Sequence, residues 1–82
     1  MSTYNFFCAH PGYSLAATIT SIGGGVGGVY LWLNGRKNNG NNTVSDETLA
    51  NNVTFSNSTD AYQYAAQVAH RWARENGTYI TA

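Results

Sequence analysis

The sequence predicts an α+β domain in which a small antiparallel sheet of about four to five strands is packed on one face by a single C-terminal α-helix, in the order β-β-β-β-α-β. Two patterns carry this expectation. Apolar residues recur with period two in short runs between Tyr4 and Ser56, and one stripe of helical period runs from Ala61 to Trp72. Size adds a bound: 82 residues make a single domain, 1–82, and a chain this short buries only about 60–65% of the surface that its unfolded form exposes.

From Tyr4 to His10 the alternation reads as a first strand, with Tyr4, Phe6 and Cys8 on one face and Phe7 and Ala9 on the other. Pro11-Gly12 ends it, since proline fixes φ and lacks a donor while glycine accepts positive φ. Between Ser14 and Ile22, Leu15, Ala17 and Ile19 oppose Ser14, Thr18 and Thr20, the pattern of a half-buried strand. The glycine-rich segment 23–28 loses too much backbone entropy on ordering to favour a rigid element and is read as a flexible loop. Val29, Leu31 and Leu33 then point one way and Tyr30 and Trp32 the other, so the second and third strands form a hairpin. Asn34-Gly35 has turn chemistry, and 34–43 is so rich in Asn and Gly that a second flexible loop is expected there.

Between Thr43 and Ala50 the pattern decides nothing: Ser45-Asp46-Glu47 suits the cap of one helical turn, and Thr48-Leu49 the start of a strand. Asn52 to Ser56 reads as a fourth strand with Val53 and Phe55 pointing together. Asn57 to Asp60 offers N-cap oxygens to a helix from about Thr59 to Asn76. Its stripe consists of Ala61, Tyr64, Ala65, Val68, Ala69 and Trp72, with Tyr64 and Trp72 filling the two ends. Asn76-Gly77 supplies a left-handed C-cap, after which Thr78 to Thr81 returns as a short final strand.

Four basic and four acidic residues cancel, which removes the net field that holds a polyanion through counterion release and argues against nucleic acid as partner. The lone Cys8 excludes an internal disulfide. With no basic leader segment before an apolar core, it points to a reducing compartment, the cytoplasm, of a host cell if the chain is phage-encoded. The stretch from Ser14 to Leu33 has no charged residue, carries Gly23-x-x-x-Gly27 and Gly24-x-x-x-Gly28, and precedes Arg36-Lys37, so a membrane span competes with the hairpin. Five glycines within 23–28 and the hydroxyls of Ser14, Thr18, Thr20 and Ser21 dilute its apolar content and favour two strands around a loop.

The motifs are weak. Gly23-x-Gly25-x-x-Gly28 matches the dinucleotide fingerprint, but a strand pattern follows where a helix is required, so no cofactor is assigned. Cys8 and His10 would share a strand face, where an imidazole lowers a thiol pKa; a small buried thiol beside an edge histidine is the simpler reading. A metal held by Cys8, His10 and His70 requires the fold to bring His70 over the first strand, and no metal is assigned. Asp46, Glu47, Asp60 and Glu75 offer no converging carboxylate pair, and Asp60 suits the helix start. No catalytic residue is assigned and a non-enzymatic protein is expected.

The surface says more. If Leu15, Ile19, Leu31, Leu33, Val53 and Phe55 face the helix, Tyr30 and Trp32 project from the opposite side, beside Tyr4 and Tyr13. With Arg36 and Lys37 these form the expected partner-binding set. The leading expectation is a protein-binding module that works by occupying another protein's surface. Accessory proteins of phages and mobile elements, including inhibitors of host defence such as anti-CRISPR proteins, are analogous in size and architecture alone, with no shared motif. A viral or phage assembly protein that self-associates into a homo-oligomer through the exposed sheet face is the second expectation. The third is a nucleotide or single-stranded nucleic-acid binder, stacking bases on Tyr30 and Trp32 and meeting phosphates with Arg36-Lys37 or with Arg71 and Arg74.

Overall fold

The alternating runs pair as a meander. Strands β1 (Ser2–Phe7), β2 (Ser14–Ser21), β3 (Val29–Asn38) and β4 (Val44–Phe55) form one antiparallel sheet in chain order, and helix α1 (Ser58–Glu75) covers one face. The computed structural model describes every residue from Met1 to Thr81 except Val26, Asn39 and Asn42. Register follows the apolar pattern: Leu15 lies opposite Gly35, Ala17 opposite Leu33 and Ile19 opposite Leu31. Residues directly opposite in an antiparallel pair share a face, so these rows, extended by Phe6 on β1 and Ala50 on β4, form the floor of the core.

Four alanines spaced one helical row apart, Ala61, Ala65, Ala69 and Ala73, are fully buried on the underside of α1. Their small side chains let the helix settle close to the sheet, and Val68 and Trp72 fill the space beside them. Trp72 packs directly against Gly35. A Cβ built on that glycine would stand 2.9 Å from two atoms of the indole, so only glycine fits beneath the ring. The indole N–H then donates to Glu47 Oε2 at 3.0 Å, which satisfies the polar edge of an otherwise apolar plate. Tyr64, expected at the other end of the buried stripe, instead stays partly exposed at the flank, its ring 5.3 Å from that of Phe55.

Both helix ends are closed by local chemistry. Asn57 caps the start, its side-chain oxygen accepting the Asp60 N–H at 2.8 Å while its amide donates back to the Asp60 carboxylate at 3.3 Å. At the other end Gly77 takes a φ of 75°, with Thr78 N–H bonded to the Ala73 carbonyl and Gly77 N–H to that of Arg74, the pairing of a Schellman motif.

Several expectations give way. The segment 34–43 is not a loop throughout: β3 continues to Asn38, because Gly35 serves the Trp72 contact and Arg36 faces Asp46 on β4. Of the undecided stretch 43–51, all but Thr43 belongs to β4, a strand whose pairing with β3 shifts register on either side of Leu33 and in which Asn52 adopts a left-handed φ of 52°. No final strand forms among the described residues; the tail makes one β-bridge, Ile80 to Cys8. Ser14 to Leu33 is a hairpin, and among the described residues no helix is long and apolar enough to cross a membrane.

The Trp72 contact sets two stability outcomes, both read by urea denaturation. Trp72→Ala should lose about 3–5 kcal/mol. Gly35→Ala, which forces the ring off its seat, should lose about 1–3 kcal/mol, and unchanged stability would contradict the packing.

Candidate functional site

A single helix can cover one side of a sheet, so the other side of this sheet meets solvent over all its strands among the described residues. Alternation places Thr3, Asn5 and Phe7 of β1 there, with Ser14, Ala16, Thr18 and Thr20 of β2 and Tyr30, Trp32, Asn34 and Arg36 of β3. β4 adds Asp46, Thr48 and Thr54. One row runs Phe7, Ser14, Arg36, Asp46 across the sheet and the next Asn5, Ala16, Asn34, Thr48. Trp32 stands half-buried among these side chains, beside a shallow groove lined by Asn5, Ser14, Ala16, Asn34 and Arg36. Tyr30 is 37% exposed and Phe7 62%. The face is therefore a field of hydroxyls and amides set with three aromatic rings, rather than the continuous aromatic patch that the sequence suggested.

The expected partner-binding residues do not all meet. Tyr30, Trp32 and Arg36 share the open face. Tyr4 does not: its register with Ala17 turns it to the helix side, where its ring meets Tyr62 edge-on at 5.1 Å. Tyr13 precedes β2 and is half-buried between His10, at 4.4 Å, and Trp72, at 6.3 Å. Lys37, one residue on from Arg36 in the same strand, necessarily points to the opposite side. Arg36 itself is held by Asp46 at 3.1 Å. Phe7 and the threonine and asparagine residues around Trp32 were not singled out in the sequence; the period-two register of β1 and β2 is the signal that carries them.

Among the described residues no other cluster assembles chemistry. β1 ends at Phe7, so Cys8 and His10 do not share a strand face; His10 lies in the bend that follows, its N–H bonded to Thr78 Oγ1 at 3.0 Å. Burial pushes the Cys8 thiol above its ordinary pKa, opposite to what nucleophilic activation needs. His70 does lie near the first strand, in the groove between α1 and β1, yet among the described residues no three His, Cys, Asp or Glu side chains converge as metal ligands. After Gly28 comes β3 and not a helix, so the glycine fingerprint lacks the dipole that holds a pyrophosphate. No family model, no curated protein and no solved structure matches the chain.

Two outcomes follow. The folded state holds the Cys8 proton more tightly than the unfolded chain does, so this thiol leaves stability unchanged below about pH 8.5 and lowers it as pH rises beyond. Cys8→Ser should soften that alkaline decline in thermal melts, and alkylation of the folded protein at pH 8 should run slower than in urea. Arg36→Ala should change stability by less than about 1 kcal/mol, as for other exposed ion pairs.

Proposed function

We propose that the chain is a non-enzymatic protein-binding module that presents the open face of its sheet to another protein, with Trp32 and Tyr30 as anchors. The observation that carries this reading is the composition of that face: rigid aromatic side chains spaced among short hydroxyl and amide groups. Tyr and Trp supply contact area at little entropic cost, and Ser, Thr and Asn adapt their hydrogen bonds, the division of labour found in antibody combining sites. Four strands about 4.8 Å apart and a paired length of eight residues in β2 and β3 span roughly 20 by 25 Å. With side-chain relief this approaches the ~800 Å² that one partner contributes to a standard interface.

A stoichiometric inhibitor acting in the cytoplasm, of the sort that phages and mobile elements encode, is the form of this reading we favour. Occupying a surface asks for no reacting group, and a lone neutral thiol suits a reducing compartment. The nucleic-acid reading is weaker, because Arg36 is already paired with Asp46 and Lys37 lies on the other side of the sheet.

The double variant Tyr30→Ser, Trp32→Ser tests the proposal, since neither side chain belongs to the core. Its far-UV circular dichroism should match the parent, while proteins captured from a host lysate by the immobilised parent should no longer be retained. Equal capture by both would sink the reading. A parent that captures only nucleic acid, or associates only with itself through these two residues, would replace it with one of the other two classes.

A further inference from the structure

The sheet has two edges, β1 and β4, and they are built differently. Natural sheets blunt an edge with charge, proline or bulges, because its unpaired N–H and C=O groups otherwise template another strand. β4 carries Asp46 and Glu47, two register shifts and the left-handed Asn52. β1, with the sequence STYNFF, has no charge and no proline and pairs with β2 in unbroken register from Ser2 to Phe7.

Hydrogen bonds at the end of β1 reveal which groups point outward. Cys8 N–H turns inward to the Tyr13 carbonyl at 3.1 Å, whereas the Phe7 carbonyl accepts outward from Thr81 N–H at 2.8 Å and Ala9 N–H donates outward to Tyr79 at 2.9 Å. These groups alternate along a strand, so Thr3 and Asn5 turn both N–H and C=O outward. The described tail ends at Thr81, opposite Phe7, and leaves the edge from Ser2 to Phe6 without a neighbour among the described residues. Beneath it runs a groove between β1 and α1, lined by Tyr4, Phe6, Tyr62, Ala66 and Ile80.

We propose that a second copy of this chain completes the edge: β1 pairs antiparallel with β1 of the other copy about a two-fold axis at Tyr4, joining two four-stranded sheets into one. The register is self-complementary. Thr3 of one copy falls opposite Asn5 of the other and exchanges both N–H···O bonds with it, twice by symmetry. The two Tyr4 side chains meet on the helix side in the closely spaced non-hydrogen-bonded position, above the groove that holds Phe6 and Tyr62. No charged side chain on β1 opposes the pairing, since no Lys, Arg, Asp or Glu occurs before Arg36. The dimer uses the edge and not the open face, so it stands independently of the binding function, and it sets two open faces side by side.

Sedimentation equilibrium from micromolar to millimolar concentration tests this. The parent should form a dimer, and Asn5→Pro, which removes an outward N–H that bonds to nothing among the described residues, should raise the dissociation constant by about tenfold or more with unchanged circular dichroism. In a Cys8→Ser background, Tyr4→Cys should give a covalent dimer on mild oxidation, its Cα atoms about 4.5 Å from their mates, while Ser2→Cys should not. This second readout holds even if Asn5→Pro folds poorly. A parent that stays monomeric throughout overturns the proposal. So does a dimer that survives Asn5→Pro in the folded state, or one that dissociates in Tyr30→Ser, Trp32→Ser.

Discussion

Everything in this molecule depends on how closely one helix can approach one sheet. The row Ala61, Ala65, Ala69, Ala73 presents almost no bulk, so α1 sinks onto β2, β3 and β4 until the floor of Leu15, Leu31 and Leu33 is sealed. The same closeness leaves no room for an aromatic plate except where the sheet lacks a side chain, which is at Gly35. Trp72 thus acts as a key in a slot, and its N–H, which such depth would otherwise strand, reaches the rim at Glu47. A chain of 82 residues concentrates Leu15, Ile19, Leu31 and Leu33 in this single seam, and the far side of the sheet carries threonine, serine and asparagine around its aromatic rings.

The β2–β3 hairpin and α1 could be read from the residues because each has a clean period and one buried face. Leu15-Ala17-Ile19 and Val29-Leu31-Leu33 alternate without interruption, and the alanine row repeats every four positions. β4 was obscure for a physical reason. It is an edge strand whose residues are mostly exposed, so no alternation is imposed on Val44 to Leu49, and its bulges break the period where alternation resumes. Asn34-Gly35 misled differently. The dipeptide has the chemistry of a turn, but the glycine is there to admit the indole of Trp72, 37 positions further along the chain.

The candidate face was half legible. Tyr30 and Trp32 follow from the strand period alone, whereas the placing of Tyr4 and Tyr13 requires knowing how β1 registers on β2 after Pro11-Gly12 resets the chain. Arg36 and Lys37 make a basic pair only if 34–43 is a loop; on a strand, neighbours diverge. What remains on the face is one cation already engaged with Asp46 and a set of uncharged groups able to donate and accept in many directions. Such a surface recognises shape and hydrogen-bond pattern more than charge.

The two tryptophans occupy opposite sides of the same sheet, one beneath the helix and sealed, the other turned toward solvent. Each therefore senses a different event. Emission from Trp72 reports whether the seam is intact, and emission from Trp32 reports what settles on the outer surface, so the protein carries its own pair of optical gauges, one for integrity and one for occupancy, with no label attached.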